Sequence, residues 1–237
     1  PPKFAGQPPV GPLPAGEEQE TQDALQDWQG AQGLAEDLRR YGHWMREEAY
    51  KRIGHLYPKV KITPEMVAER PDLAQYENEE LTVIAWLWAR TVKSPNPAFS
   101  HVDVPLVRSF VLSSRTGREA WEEPVINDDR YEFAVNDGPQ TKEALDGTVK
   151  RTGGTCIMSQ TAMPFKYIRE EGQAGRMGEK LMAIVLEGNR GRVYLSPQQE
   201  IEEVAKQAKP TWKPETPMHG KCRVNVSNYG FDAYGDL

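Results

Sequence analysis

The amino-acid sequence predicts an α+β fold that combines a long amphipathic helix with an antiparallel β-meander and hairpins. Apolar residues recur at steps of three and four between positions 31 and 57, which is the spacing of one helix face. Short β-branched and aromatic runs separated by turn residues follow after position 80, as is typical of antiparallel strands. A hydrophobic fraction of 38% supplies enough apolar material for a core. Most of the chain is therefore expected to fold.

The predicted helix runs from about Ala31 to Tyr57. Its apolar face consists of Leu34, Leu38, Tyr41, Met45, Ala49, Ile53 and Leu56. On the opposite face Glu36 precedes Arg40 by four residues, and such pairs stabilise a helix by a few tenths of a kcal/mol. Pro58 ends the helix because proline cannot continue it.

The strands are predicted from three patterns. Residues 81–92 are apolar on both alternating faces, which favours a central strand that is covered on both sides. Two apolar runs, 181–186 and 192–195, flank a Gly-Asn-Arg-Gly turn and predict a hairpin. The meander is predicted from the runs Leu106–Ser113, Glu119–Ile126 and Tyr131–Val135.

Composition changes along the chain suggest three regions. Residues 1–30 hold six Pro, five Gln and four Gly and are predicted to be a linker or an extended loop. Residues 31–209 form the predicted α+β insertion domain, and residues 210–237 form a loop-rich tail. The Pro1-Pro2 start is not a natural translation start, so we expect this chain to be part of a longer protein with a further part downstream.

Charge and composition exclude several classes of function. A net charge of −6 and a pI near 5.4 argue against binding nucleic acid by bulk electrostatics, although a local basic patch is compatible with both numbers. The longest mostly apolar stretch, 81–89, is about half the roughly 20 residues that a membrane helix needs. Two cysteines give no disulfide framework, which together with the absence of a leader predicts a cytoplasmic protein without membrane contact.

Catalytic motifs are not found. The sequence has no nucleotide-type glycine loop, no serine nucleophile elbow and no His-Glu-x-x-His helix. No apolar strand precedes Phe4-Ala5-Gly6, so this run does not predict a cofactor loop. We predict structural roles for His43 and His55 and a polar hairpin turn at Asp128-Asp129. The chain is therefore expected to hold no complete catalytic site, and an enzyme whose site forms only in the fold is the least favoured alternative.

Two short segments have the outline of zinc knuckles. Ser94 to Phe99 and Cys156 to Ser159 each follow a predicted strand, but only Cys156 offers the thiolate that a zinc site uses. His101 and the His219-x-x-Cys222 pair are the other available ligands. We predict a knuckle-shaped turn that holds no metal and has an apolar or polar plug in its place.

The loop at 167–178 is dense in charge and glycine. Arg169 and Arg176 are candidates to grip a DNA phosphate, because guanidinium groups match its geometry. The alternative is that Glu170 and Glu171 neutralise both cations in a solvated loop.

Seven stretches of the sequence carry a resemblance to a known family. They are PPKFAGQPPV, YGHWMREEAYKRIGHLYPKV, WLWARTVKSPNP, PLVRSF, PFKYIREEGQAGRMGEKLMAIV, GRVYL and NYGFDAYGDL. They resemble the central region of a prokaryotic family of adenine-specific DNA methylases with an inserted zinc ribbon, and they cover nearly the whole chain.

The resemblance implies a methyl-transfer parent whose chemistry lies outside this chain. In that family the glycine motif for S-adenosylmethionine precedes the region that matches Pro1, and the Asp-Pro-Pro-Tyr-type motif follows the region that matches Leu237. S-adenosylmethionine is therefore expected for the parent and no cofactor is expected in this chain. The family's zinc ribbon has cysteines at the positions that match Ser94, Phe99, Cys156 and Ser159, and only Cys156 is a cysteine here.

The leading hypothesis is an internal segment of an adenine-specific DNA methyltransferase that aids recognition of DNA or of a partner. Its expected partners are DNA and the rest of the methyltransferase chain. The alternative is a non-enzymatic protein- or DNA-binding module of a defence-type complex.

Overall fold

A computed structural model describes residues 2–13, 27–189 and 191–236. Residues 14–26 of the predicted linker and Arg190 of the predicted hairpin turn lie outside these ranges. The chain divides into two compact units, Pro1–Tyr57 and Pro58–Leu237.

The helices of the described residues are short except for the first. The α-helices are α1 (Gln32–Ile53), α2 (Pro64–Glu69), α3 (Lys142–Leu145), α4 (Phe165–Gln173), α5 (Gln199–Ala205) and α6 (Gly220–Val226). Single 3₁₀ turns or short 3₁₀ helices cover Pro2–Phe4, Gly54–Leu56, Pro71–Tyr76, Pro97–Phe99, Ser227–Tyr229 and Tyr234–Asp236.

The strands pair in an antiparallel manner throughout. They are β1 (Lys59–Lys61), β2 (Glu80–Lys93), β3 (Asp103–Pro105), β4 (Val111–Arg115), β5 (Arg118–Asn127), β6 (Arg130–Asp137), β7 (Val149–Lys150), β8 (Gly153–Thr155), β9 (Ala162–Pro164), β10 (Gly178–Gly188) and β11 (Gly191–Leu195). The long helix and the antiparallel sheets together confirm the predicted α+β class.

In the first unit, α1 confirms the predicted long helix. An N-terminal segment runs beside its first turns: the backbone N–H groups of Val10 and Gly11 both donate to Asp37 Oδ1 at 2.7 Å. Gly33 permits this approach, because a Cβ atom there would lie only 2.0 Å from the Gln7 carbonyl oxygen. Part of the sequence that was predicted to be a linker is therefore hydrogen-bonded to the helix.

The apolar face of α1 is largely exposed. Leu38 is 70% exposed and Met45 is 63% exposed, although their spacing predicts a buried face. Gly33 and Arg40 are the buried residues of this helix. The periodicity therefore predicted the helix correctly, but it did not predict that the apolar face is largely exposed.

In the second unit, β2 lies at the centre of a five-stranded sheet with the strand order β1-β2-β10-β11, and β3 also pairs with β2. This confirms the central position of the strand, and the β10–β11 pairing confirms the predicted hairpin. The predicted cover on both sides is incomplete, because Ile84 is 39% exposed and Trp86 and Trp88 are only partly buried.

One core cluster lies on a face of this sheet and contains Val83 of β2 and Leu181 and Ile184 of β10. Trp86 donates its indole N–H to the Ile201 carbonyl oxygen at 3.2 Å, which places α5 next to β2.

Two smaller sheets complete this unit, with strand orders β4-β5-β6 and β7-β8-β9. The first confirms the meander, and Asp128 (φ +49°) lies in the tight turn between β5 and β6. A second core cluster contains Val92, Phe133, Met163 and Ile168 and lies against the predicted knuckles.

The tail contains more regular structure than its composition predicts. The helix α6 and two 3₁₀ turns lie between Gly220 and Asp236. Among the described residues, none of the helices combines the length and the apolar composition that a bilayer crossing requires.

Candidate functional site

The two predicted knuckles come together in the fold. The first follows β2 and the second follows β8, and Ser94 and Cys156 are both buried where these segments meet. Asn96 of the first segment lies with its Nδ2 atom 3.5 Å from Thr161 Oγ1, and Ser159 Oγ of the second lies 2.9 Å from the same hydroxyl oxygen. We call Ser94, Asn96, Cys156, Ser159 and Thr161 the knuckle cluster.

Hydrogen bonds in this cluster converge on the Cys156 sulfur. Burial raises the pKa of the thiol, but the hydroxyls of Ser159 and Ser94 and the backbone N–H groups of Ser159 and Met158 hydrogen-bond to it, and the net effect lowers the pKa. The knuckle backbone thus holds the sulfur as a hydrogen-bond acceptor.

Ser94 repeats this arrangement in the first segment. Its Oγ atom accepts a hydrogen bond from the backbone N–H of Asn96, two residues later, at 3.3 Å. Phe99 is half-buried against the core cluster that contains Cys156, and its ring centroid lies 6.5 Å from that of His101. An aromatic ring and two hydroxyls therefore stand at three of the positions that the resemblance gives to cysteines.

The donor set at this site does not fit a structural zinc ion. Zinc sites of this kind use four thiolate or imidazole ligands, whereas one thiolate is present here. In the part of the chain that the structure describes, no three His, Cys, Asp or Glu side chains come close enough to hold a metal. His101 lies instead with Nε2 2.9 Å from the Asp129 carbonyl oxygen, and Cys222 is exposed.

Arg169, the first DNA-contact candidate, bonds to the tail of its own chain. Its Nε donates to the Ser227 carbonyl oxygen at 3.0 Å and its Nη2 donates to Asn228 Oδ1 at 2.9 Å. Close packing supports this contact, since a Cβ atom at Gly172 would lie 2.0 Å from the Tyr229 carbonyl oxygen. The guanidinium group of Arg169 therefore fixes a 3₁₀ turn against α4.

Arg176, the second candidate, forms a bidentate pair with Glu171. Its Nε and Nη2 atoms lie 3.0 Å and 2.7 Å from the two carboxylate oxygens. This hydrogen bonding lowers the pKa of Glu171 and raises that of Arg176. Glu171 therefore neutralises Arg176, as the alternative interpretation of this loop expects. Contact of Arg169 or Arg176 with DNA stays a prediction.

A cleft of about 550 Å³ lies elsewhere in the second unit, and no sequence motif marks it. It is bounded by the 3₁₀ helix Pro71–Tyr76, the β4–β5 turn, the end of β6 and the start of β11. We call it the arginine cleft, because Arg70, Arg118 and Arg192 line it.

The inner wall of this cleft is an ion-pair network around Arg70. The Arg70 side chain is 15% exposed and forms a bidentate pair with Asp72 at 2.8 Å and 2.7 Å. Its Nη1 donates to the Val135 carbonyl oxygen at 2.9 Å, and its Nε lies 3.4 Å from Asp137 Oδ1. These bonds use the guanidinium group to join the 3₁₀ helix to β6.

The outer edge of the cleft differs in its charge. Arg118 and Arg192 are exposed, and within the described residues neither guanidinium group has a hydrogen-bond partner or a carboxylate within 4.0 Å. Arg115 is directly opposite Arg118 in the β4–β5 register and is also exposed and unpaired among those residues. We call Arg115, Arg118 and Arg192 the arginine rim.

Glu122 is a further buried polar group that the sequence does not reveal. It lies on β5, is 0% exposed, and neither carboxyl oxygen has a hydrogen-bond partner among the described residues. Burial raises its pKa from 4.5 to about 8. Glu122 is therefore protonated at neutral pH and carries no charge toward a ligand.

Comparison of the chain with protein-family models, curated proteins and solved structures gives no match.

Proposed function

We propose that this chain is a DNA-recognition region of an adenine-specific DNA methyltransferase, without catalytic residues of its own. The parent protein would bind S-adenosylmethionine and transfer the methyl group through residues outside this chain. The chain would contribute a metal-free, zinc-ribbon-like element and a framework for contact with DNA.

The observation that carries the proposal is the closure of the two knuckle segments around Cys156. The resemblance gives cysteines to the positions of Ser94, Phe99 and Ser159. The hydroxyl groups of Ser94 and Ser159 interact with Cys156 and lower the pKa of its thiol, and Phe99 packs against the same core cluster. Positions 94 and 159 are 65 residues apart in the chain and lie near one sulfur in the fold, and this closeness supports the proposal.

The proposal is tested by titrating a labelled 20-base-pair duplex with the full chain over a range of salt concentrations. A region that contacts phosphates releases counterions, so the logarithm of the affinity should fall with the logarithm of the salt concentration with a slope of about −2 or steeper. A flat dependence, or no binding at low salt, would contradict DNA recognition.

A second candidate, a protein-binding module, is favoured by the exposed apolar face of α1. Leu38, Tyr41 and Met45 of this face are 70%, 45% and 63% exposed, and contiguous apolar surface of this kind is typical of a protein contact. This candidate predicts the flat salt dependence that would contradict the first.

A further inference from the structure

We infer that the arginine rim, formed by Arg115, Arg118 and Arg192, binds the phosphodiester backbone of duplex DNA. The inference rests on the proposed function, because it names the surface through which the region would contact DNA. It assigns that contact to a different surface from Arg169 and Arg176.

The first argument is the like-charged pair on β4 and β5. Arg115 and Arg118 are directly opposite each other, and like charges in that position destabilise an antiparallel pair. Among the described residues no carboxylate lies within 4.0 Å of either guanidinium group. A phosphate at this edge would remove the repulsion and supply the acceptor that both forks lack.

The second argument is the separation of roles within the cleft. Asp72 and Asp137 both pair with Arg70, so these two carboxylates neutralise the inner wall and not the rim. Glu119 is the remaining carboxylate of the lining, and it stands against three cations at the rim. Glu187 is opposite Arg192 in the β10–β11 register, so the outer edge holds three arginines and two carboxylates and is positive although the formal charges that line the cleft balance.

The third argument is how the rim is built. Arg118 and Arg192 come from two different hairpins, and the Arg118 guanidinium lies over the backbone of Gly191, where a Cβ atom would be 2.6 Å from Nη1. The hairpins thus present neighbouring forks from one edge of the unit, and guanidinium forks match phosphate oxygens in pairs. In a chain of net charge −6, such a confined patch can bind phosphate where the rest of the surface repels it.

The test compares three variants of the full chain with the wild type in the duplex titration. R118Q/R192Q removes two rim charges, R118K/R192K keeps them, and R130Q/R223Q removes two exposed arginines that are paired with Asp129 and Asp232. Because each phosphate contact contributes about 0.9 to the salt slope, R118Q/R192Q should lower it by about 1.8 and weaken binding about 60-fold at 0.1 M salt. R118K/R192K should keep most of the slope, and R130Q/R223Q should match the wild type.

The outcomes separate the two proposals. If the wild type binds with a steep slope and R118Q/R192Q loses no more than R130Q/R223Q, the rim is not the contact, although DNA recognition stands. If the wild type shows no salt-dependent binding, the proposed function fails and the rim fails with it. Circular dichroism and thermal melting of each variant would show that these exposed substitutions leave the fold unchanged.

Discussion

The polar groups of the knuckle cluster hydrogen-bond within the protein, whereas two arginines of the arginine cleft face solvent. In the knuckle cluster, hydroxyls and backbone N–H groups turn inward and bond to one another and to the Cys156 sulfur. In the cleft, Arg70 is satisfied internally while Arg118 and Arg192 face solvent without a carboxylate partner among the described residues. The first arrangement holds two segments of the fold together, and the second leaves hydrogen-bonding capacity for a ligand.

Cysteines placed in the two knuckle segments give the largest expected effect. S94C/F99C/S159C would supply four thiolates together with Cys156, and we expect about one zinc ion per chain and a stabilisation of roughly 4 kcal/mol at zinc a thousandfold above Kd. Metal analysis and zinc-dependent melting would measure both. The matched control adds C156A to the same variant and should bind zinc more weakly. Failure of the four-cysteine form to take up zinc would show that the four positions do not converge.

Glu122 is a buried carboxyl group that belongs to neither the knuckle cluster nor the arginine cleft. Its removal should change the pH dependence of the free energy of unfolding. Its pKa is raised from 4.5 to about 8, so the unfolded chain loses this proton at lower pH than the folded chain. Stability should therefore fall as pH rises from 4.5 toward 8, by about 3 kcal/mol between pH 4.5 and pH 7.

E122Q should abolish that fall, and urea unfolding at several pH values would detect it. E123Q changes the exposed neighbour and should keep the wild-type profile. An E122Q protein with the same pH dependence as the wild type would mean that Glu122 has a partner or is solvated.

Two arginines of the same cleft should differ in their effect on stability. R70M leaves Asp72 and Asp137 without their cation and breaks the bond to Val135, so we expect a loss of about 2 kcal/mol in the free energy of unfolding. R118M should change it by less than about 0.5 kcal/mol, since exposed substitutions away from such networks are nearly neutral. Equal losses in the two variants would remove the distinction between inner wall and rim.

The smallest expected effect concerns Ser159. S159A removes a hydroxyl that hydrogen-bonds to the Cys156 sulfur, so it should raise the thiol pKa and cost about 1 kcal/mol of stability. The ultraviolet absorbance of the thiolate, followed against pH in a C222S background, reports the pKa. S100A, at an exposed serine nearby, is the control and should shift neither quantity.

Local patterns explain what the sequence predicted correctly. The spacing of three and four residues identified α1, and the Gly-rich turn identified the β10–β11 hairpin, because both depend on residues close together in the chain. The outline of the knuckle segments came from the sequence, and the resemblance added that cysteines match Ser94, Phe99 and Ser159. Nothing in the alternation of β5 distinguishes Glu122 from its exposed neighbour Glu123, since burial is decided by what packs on each face.

Long-range contacts explain what the sequence missed. Arg169 bonds to residues 58 and 59 positions away, which no local pattern connects to it. The arginine cleft joins Arg70, Arg118 and Arg192, and only the sheet topology brings these three together. The one available signal was that Arg118 and Arg192 each border a predicted turn, where composition alone assigns an arginine to solvent.

Some arginines bond to acceptors of the protein, and those of the arginine rim do not. The most direct test of this distinction is nuclear magnetic resonance of the guanidinium Nε–H signals during addition of duplex DNA. The signals of Arg118 and Arg192 should move in proportion to the bound fraction, while those of Arg70, Arg169 and Arg176 should stay in place because protein acceptors already hold them. Movement of Arg169 and Arg176 with no change at Arg118 and Arg192 would contradict the account.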